Sequence, residues 1–260
     1  MSVTSPQVAQ RLRRIQNALG VTADGMLGPE TLTALEKHLE LGVTRKAVSL
    51  SCSCKSLELI VAFEIGSRAQ YERLYAQPTW PGGESGVTIG IGYDLGFTSK
   101  QQIEADWDPF LEKPDRAALA AVQGAKGAVA AQLARGLRHI RVPIEAAEAV
   151  FYASTLPRFA RIVRDAFPGV EKLPLDAQGA MLSLVFNRGA SLAGDRRREM
   201  RAIRAELAGG RASLDVVADQ FEAMQRLWPD VRGLRERRVR EAALVRGARR
   251  RYAAGERIDV

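Results

Sequence analysis

The stretch SGVTIGIGYDLG, residues 85–96, combines a strand-like apolar pattern with four glycines, of which Gly90, Gly92 and Gly96 interrupt the apolar run. Glycine weakens the interior of a strand and commonly marks a bulge or the close approach of a ligand or of another backbone. Apolar residues alternate with small or polar ones over residues 86–93, which predicts a single strand. We therefore expect a strand with one face that lies close to a ligand or to another part of the backbone.

The two faces of this predicted strand differ in character, because successive side chains of a strand point to opposite sides. One face is apolar. The other carries a hydroxyl, a carboxylate and two positions without a side chain: Thr88, Gly90, Gly92 and, if the strand continues, Asp94. Such a face suits the floor of a cleft for a large polar ligand. The glycine spacing differs from the GxGxxG of dinucleotide sites, so we expect no cofactor.

A short apolar helix is predicted just upstream, in SLELIVAFEIG. Ser56 is suited to its N-cap and Gly66 to the position after its end. Glu64 then lies in the last turn, beside apolar residues and at the end of the helix dipole that disfavours a negative charge. A proton-donating carboxylate fits this position, although a solvated surface glutamate fits it as well.

The chain as a whole predicts two domains joined by a linker: residues 1–42, a polar linker 43–56, and a larger domain 57–260. The first has apolar residues at helical spacing up to Gly20, then a turn and a second helical pattern. The larger one begins with a helix and a small sheet and continues as helices. This order predicts an α+β fold that is mainly helical.

The first domain carries a recognisable signature, a Leu-Gln helix followed by D-G-x-x-G-x-x-T and Ala-Leu. The matching residues are Leu12, Gln16, Leu19, Asp24, Gly25, Gly28, Thr31, Ala34 and Leu35. The pattern resembles the peptidoglycan-binding module of bacterial and phage wall enzymes. The resemblance implies a small domain of the three-helix type, with Gln16, Asp24, Gly25, Gly28 and Thr31 as its wall-binding signature.

Four sequence motifs follow one another along the larger domain. These are the helix-ending Glu64, the strand TIGIGYD, the helix end FNRG (residues 186–189) and the stretch GLRERRVREAAL (residues 233–244). This order resembles the phage-type, T4-like lysozyme family, which hydrolyses bacterial peptidoglycan. The resemblance implies a lysozyme-like fold and a muramidase that cleaves between N-acetylmuramic acid and N-acetylglucosamine.

The same resemblance implies a role for each matching residue. Glu64 would be the general acid, and Thr88 would help to place the attacking water. Gly90 and Gly92 would let a sugar lie against the strand. Phe186, Asn187 and Gly189 match the family's F-N-x-G substrate-side motif. Asn187 would donate to an N-acetyl group, although a helix-capping role fits equally well.

The chain departs from the family between the acid and the threonine. Thr88 follows Glu64 by 24 positions, and Arg73 stands nine positions after Glu64, where the pattern E-x8-[D/C]-x5-T has its second catalytic residue. Asp94, six residues after Thr88, gives a spacing similar to that of the bacteriocin pesticin, which shares the fold group. Glu84 is the alternative. While the second carboxylate is open, a lytic transglycosylase, which uses one glutamate and no water, is open too.

The charge balance points to an anionic partner. The net charge is +8, and residues 226–251 hold ten arginines against three acidic residues. The resemblance assigns Arg237, Arg238 and Glu241 a structural role. We expect the remaining arginines to contact an anionic surface such as the outer membrane, with no specific nucleic-acid partner and a monomeric protein.

The remaining features concern where the protein acts and which other types of enzyme the sequence could encode. No signal-peptide pattern opens the sequence, so we expect synthesis in the cytoplasm and action on the cell wall after holin-type release or secretion. The combination of a binding module with a basic muramidase most resembles a modular phage endolysin, and a secreted antibacterial effector is the alternative. Two histidines are too few for a typical zinc peptidase, so we expect no metal. A thiol amidase would need Cys52 or Cys54, which fall in the predicted linker.

Packing is the expected role of the three tryptophans, Trp80, Trp107 and Trp228.

Overall fold

The computed structural model describes residues 6–25, 31, 34–35, 38, 48–253 and 255–260. The chain forms two compact units, Met1–Val48 and Ser49–Val260. Within the described residues the protein is mainly helical, with two small antiparallel sheets, as the α+β prediction requires. None of the helices in these ranges has the length and apolar character needed to cross a membrane.

The first unit begins with α1 (Pro6–Leu19), which ends at Gly20 as predicted. The buried side chain of Gln16 organises the turn after this helix. Its amide nitrogen donates to Asp24 Oδ1 at 2.7 Å and to Thr31 Oγ1 at 2.9 Å, and its oxygen accepts from the Gly25 amide at 2.8 Å. These four signature residues therefore hold the unit's own fold together. Gly28, the fifth, lies outside the described residues.

The second unit begins earlier than the sequence indicated. Strand β1 (Ser51–Ser53) pairs antiparallel with β4 (Arg257–Asp259) near the end of the chain, and β1 is entirely buried. The predicted linker, 43–56, was therefore too long at its C-terminal end. Serine and cysteine side chains made this segment look like a linker, whereas their small size lets it pack inside the unit. Cys52 is buried there as a free thiol.

Helix α2 (Cys54–Ile65) follows β1 directly. The N-cap is Ser53, whose hydroxyl accepts from the Ser56 amide at 3.2 Å, so the prediction of Ser56 as N-cap was wrong by three residues. The predicted end is confirmed: Gly66 has a φ of 69° and its amide donates to the Ala62 carbonyl. Glu64 consequently lies in the last turn of α2.

The remaining elements follow in chain order. They are α3 (Arg68–Leu74), β2 (Thr88–Ile89), β3 (Tyr93–Asp94), α4 (Lys100–Trp107), α5 (Lys113–Ala121), α6 (Gly127–Gly136), α7 (Ile144–Val150), α8 (Leu156–Ala166), α9 (Leu175–Arg188), α10 (Arg198–Ala208), α11 (Leu214–Ala223) and α12 (Arg232–Gly247). A 3₁₀ turn, Leu95–Phe97, follows β3. A π-helical stretch, Phe151–Thr155, joins α7 to α8, whose first turn accommodates Pro157.

Helix α9 is the centre of the second unit. Every residue from Asp176 to Val185 is buried, and the helix packs against α2, α8, α12 and β1. Gly179 permits the closest of these approaches, because a Cβ at this position would overlap the side chain of Ser56 on α2. The contact between α2 and α9 matters for the site, since α2 carries Glu64 and α9 ends in the FNRG motif.

The burial of β1 leads to a prediction about truncation. A fragment of residues 49–260 should fold, whereas a fragment of residues 55–260 should lose about 2 kcal/mol or more in its free energy of unfolding, because it lacks the buried Leu50 and Cys52 and leaves β4 unpaired. Chemical denaturation of the two fragments measures the difference. Equal stability would show that β1 is dispensable.

The helix contact at Gly179 gives a second prediction. Gly179→Ala should destabilise the protein by about 1–3 kcal/mol, because the methyl group forces α2 and α9 apart. Gly136→Ala is the matched control: it lies at the end of α6 with open space around its Cβ position, and should be neutral or slightly stabilising. If the two variants unfold at the same denaturant concentration, the close approach does not constrain the fold.

Candidate active site

The opening glycine-rich stretch forms a hairpin and not the single strand predicted. Strands β2 and β3 pair antiparallel with Thr88 opposite Asp94 and Ile89 opposite Tyr93. The chain reverses between them because Gly90 and Gly92 adopt φ values of 58° and 64°, which other residues rarely reach. Directly paired residues share one face of a sheet. Thr88 and Asp94 therefore do lie on the same face, but by cross-strand pairing.

The glycines of this stretch serve different purposes. A Cβ on Gly90 would meet Trp107 and Ala147 at 3.2 Å, so Gly90 packs against the core and the prediction that it contacts substrate was wrong. Gly96 lies against Gly86, backbone to backbone, a contact that the sequence did not suggest. Gly92 alone of the three faces the cleft described below: a Cβ there would lie 2.8 Å from the Phe186 ring and 3.9 Å from Glu64 Oε2.

The carboxylate of Asp94 is fixed by backbone amides. The Gly86 amide donates to both of its oxygens at 3.1 Å, and the Gly96 amide donates to Oδ1 at 2.8 Å. Burial raises the pKa of Asp94 above its ordinary value, while these amides and the more distant Lys126 and Arg158 oppose the rise. Asp94 is thus a rigidly held, half-buried carboxyl group.

Thr88 is held by two neighbouring backbones. Its amide donates to the Thr79 carbonyl at 2.8 Å, and its carbonyl accepts from the Thr79 amide at 2.9 Å, so residue 79 extends the small sheet by one bridge. Its hydroxyl donates weakly to the Gly86 carbonyl at 3.4 Å. The side chain is half-buried. The hydroxyl is therefore only loosely engaged within the protein.

Glu64 forms an ion pair with Arg237 of α12. Arg237 Nη1 donates to Glu64 Oε1 at 2.7 Å, and the arginine side chain is 3% exposed whereas that of Glu64 is 23% exposed. The second oxygen, Oε2, is the one near Gly92. One oxygen of the glutamate is thus held from inside the protein, and the other lies beside the hairpin.

Arg237 is itself anchored by a buried cluster that joins α9 to α12. It donates to the hydroxyl and the carbonyl of Ser183, and Ser183 donates to Glu241 Oε1 at 2.5 Å. Arg238 pairs with Glu241 at 2.9 Å, and all three charged side chains are at most 3% exposed. Burial raises the pKa of Glu241 and lowers that of Arg238 to about 10, while their mutual attraction opposes both changes.

The sequence analysis predicted a structural role for Arg237 and did not predict its contact with Glu64. The pattern of the helix nevertheless indicated that Arg237 needs a partner. Two adjacent arginines and a glutamate stand on a helix whose other inward positions are Ala242, Leu244 and Val245. Buried charges on one apolar face need partners. Glu241 can satisfy only part of two guanidinium groups, so a further carboxylate from elsewhere in the chain was to be expected.

A cleft of about 520 Å³ lies between the hairpin and the end of α9. Its lining includes both carboxylates proposed as the second catalytic group, Asp94 and Glu84, together with Gly92 and the predicted set Phe186, Asn187 and Gly189. The structure therefore brings these residues together. Glu64 and Thr88 are not among the residues that line it: Glu64 Oε2 approaches Gly92, and Thr88 pairs with Asp94 across the hairpin.

The residues of the FNRG motif have distinct environments. Phe186 packs edge-on against Phe151 and tilted against Phe159, with ring centroids 5.8 and 4.6 Å away. Asn187 Oδ1 accepts from Arg238 Nη2 at 3.2 Å, which orients the amide; within the described residues the amide nitrogen donates to no other group. Gly189, with a φ of 70°, ends the helix, so Asn187 is not its cap.

Trp107, Trp80 and Cys52 have structural roles in this unit. Trp107 is buried against Tyr93, and Trp80 Nε1 donates to the Ser85 carbonyl. Burial raises the pKa of Cys52 to about 12, so its thiol is a poor nucleophile. Across the described ranges, no group of three histidine, cysteine or acidic side chains is arranged to hold a metal ion.

The arginines near the end of the chain are largely paired within the protein. Arg246 forms ion pairs with Asp219 and Glu222, Arg249 with Asp215, and Arg250 with Asp176 and Glu256. These contacts fasten α12 and the following segment to α9 and α11. The segment is thus less available for an anionic surface than its sequence indicated, and contact with the outer membrane stays a prediction.

Comparison with known proteins adds no assignment. No protein-family model matches the chain, and no curated protein matches it either.

The environment of Asp94 predicts how one part of the stability depends on pH. A pKa raised by folding means that the folded state binds the proton more tightly than the unfolded state. The contribution of Asp94 to stability is therefore greatest below its ordinary pKa and falls as the pH rises through the raised value. The difference in unfolding free energy between the wild type and Asp94→Asn should decrease over that range in denaturant titrations. An increase would mean that the amide hydrogen bonds outweigh burial.

Proposed function

We propose that the second unit is a muramidase with a lysozyme-like fold, which hydrolyses peptidoglycan between N-acetylmuramic acid and N-acetylglucosamine. One observation carries the proposal. Glu64, in the last turn of α2, has one oxygen held by buried Arg237 and the other beside Gly92, and Gly92 and Asp94 line the same cleft. Two carboxyl groups on either side of a cleft are the arrangement that glycoside hydrolysis uses.

Glu64 is the proposed general acid. Its Oε2 donates a proton to the oxygen of the glycosidic bond as the bond to the sugar breaks. The protonated form of Glu64 is the one that acts as the acid, and the hydrogen bond from Arg237 Nη1 to Oε1 leaves Oε2 as the oxygen that carries the proton. This contact fixes the direction from which the proton arrives.

Asp94 and Thr88 are the proposed partners of the attacking water. Asp94 has a fixed orientation and faces the same side of the hairpin as the Thr88 hydroxyl. Together they would accept hydrogen bonds from a water molecule and stabilise positive charge on the sugar. Glu84 lines the cleft too, but it lies in the turn between Gly82 and Ser85 without the amide contacts that Asp94 has. Asp94 is therefore the better second carboxylate.

The remaining cleft residues suit an N-acetylated sugar. Asn187 keeps its amide nitrogen available for an acetamido carbonyl, and the Phe186 ring lies next to Gly92. The first unit is proposed to bind the wall, on the strength of its signature. Because Gln16 and Thr31 are buried in that unit, wall contacts must come from other residues of its surface.

The central experiment compares two glutamates on the same helix. Glu64→Gln should reduce the release of soluble fragments from purified peptidoglycan by at least about 100-fold, because the amide keeps the shape but has no acidic proton to donate. Glu58→Gln, on the exposed side of α2, is the matched control and should retain activity. A Glu64→Gln protein that is folded and fully active would exclude the mechanism.

A second matched pair separates the two candidate carboxylates. Asp94→Asn should reduce activity by a factor approaching that of Glu64→Gln, and Glu84→Gln should have a much smaller effect, because only Asp94 is fixed toward Thr88. Initial rates on the same substrate provide the measurement. The reverse order of effects would assign the role to Glu84. If neither variant loses activity while Glu64→Gln does, a transglycosylase that needs no water would replace the hydrolase.

A further inference from the structure

A second pocket, of about 540 Å³, opens beside the cleft at the end of α9. Asn187 and Arg188 line both cavities, so the two are adjacent. The second is dominated by three arginines, Arg188, Arg196 and Arg197, with Trp228 as its aromatic side. We call it the arginine pocket. None of its described lining residues is acidic.

The three arginines lack the carboxylate partners that arginines elsewhere in this unit have. Within the described part of the chain, no acidic oxygen lies within 4 Å of their guanidinium nitrogens. The acidic groups closest along the chain, Asp195 and Glu199, pair instead with Arg198 and Arg226. The pocket therefore concentrates positive charge that the protein itself does not neutralise.

Two of the arginines, Arg188 and Arg197, are nevertheless held in place. Arg188 Nη2 donates to the Arg196 carbonyl at 2.7 Å, and Arg197 Nη2 donates to the Arg188 carbonyl at 2.5 Å. The Arg188 guanidinium also lies 5.0 Å from the centre of the Trp228 ring. Burial and the neighbouring arginines lower the pKa of Arg188 to about 10, which reflects the cost of this unbalanced charge. An anion would relieve that cost at a site already formed.

We infer that the arginine pocket binds carboxylate groups of the peptide attached to N-acetylmuramic acid. The inference rests on the proposed function, and it specifies the substrate as peptide-bearing peptidoglycan. The sugars of the glycan carry no charge apart from this substituent, whereas the peptide carries several free carboxylates. A planar guanidinium matches a carboxylate through two parallel hydrogen bonds. A sugar in the cleft would have its peptide at the shared Asn187–Arg188 edge, where the pocket begins.

The pocket has room for such a substituent. Ser191 and Ala193 are small, and they leave the space between the arginines open. Arg196 is exposed and its side chain donates no hydrogen bond to the described residues, so all of its donors face solvent. Arg196 is accordingly the residue best suited to meet the peptide, while Arg188 and Arg197 form the wall behind it.

The test measures discrimination between two substrates. The full chain is assayed on peptidoglycan with its peptides intact and on glycan strands from which an amidase has removed them, so that one lactyl carboxylate per N-acetylmuramic acid replaces the several carboxylates of the peptide. Arg196→Ala should lower the ratio of kcat/KM on the first substrate to that on the second by about threefold to tenfold, and Arg196→Glu should lower it further. Arg204→Ala is the control, because it removes an exposed arginine of α10 that does not line the pocket. It should leave the ratio at the wild-type value.

The outcomes separate this inference from the proposed function. If the wild type cleaves both substrates and the Arg196 variants keep its ratio, the function stands and the peptide site is refuted. If the wild type cleaves neither, the muramidase proposal fails, and titration of the full chain with the free tetrapeptide, followed by tryptophan fluorescence, then decides about the pocket. Binding that Arg196→Glu abolishes would support it. Tighter binding of a phosphodiester polymer than of the peptide would overturn the carboxylate assignment.

Discussion

Arg237 reaches Glu64 across 173 positions of the chain, and the ion pair between them connects α2 to α12. The rest of the site depends on this contact. Arg237 is buried, so its charge must be met by carboxylates and carbonyls inside the protein. Ser183 and Glu241 meet it from α9 and α12, and Glu64 meets it from the cleft side. The three helices are thus joined through one guanidinium group.

The charge of this cluster explains why Glu64 is held so firmly. Arg237 and Arg238 carry two positive charges, and Glu241 supplies one negative charge among fully buried side chains. Glu64 gives Arg237 a further oxygen acceptor at the edge of this cluster. Removing one member of a buried ionic network commonly costs 3–5 kcal/mol, because the remaining charge is left without a partner. Glu64 is therefore held through one oxygen, while the other lies beside Gly92 of the hairpin and is proposed to carry the proton.

The helical outline of the chain could be predicted because apolar spacing and glycine caps are local signals, as at Gly20 and Gly66. The hairpin could not, because residues 86–93 alternate perfectly well as one strand. Only the positive φ values of Gly90 and Gly92 reveal the turn. Thr88 and Asp94 do lie on one face, but they do so by pairing across two strands and not by alternating along one. The predicted linker was too long because β1 is buried only through its pairing with β4, about 200 residues away in the sequence.

The site residues were predicted in part, through motifs rather than contacts. Asp94, Gly92 and Asn187 line one cleft and Glu64 lies next to Gly92, whereas Gly90 packs against Trp107. Arg237 was missed because its role depends on a contact between distant helices. The arginine pocket was missed for a related reason: Arg188, Arg196 and Arg197 are spread over a loop and two helix ends, and only the fold shows that they share a cavity without acidic partners.

The central claim is that water attacks the sugar at a site where Glu64 donates the proton. Mass spectrometry of the fragments released from purified peptidoglycan in heavy-oxygen water tests it most directly. The account predicts fragments that end in reducing N-acetylmuramic acid with one heavy oxygen at C1. Fragments that end in anhydro-muramic acid without the label, or that end in reducing N-acetylglucosamine, would contradict it.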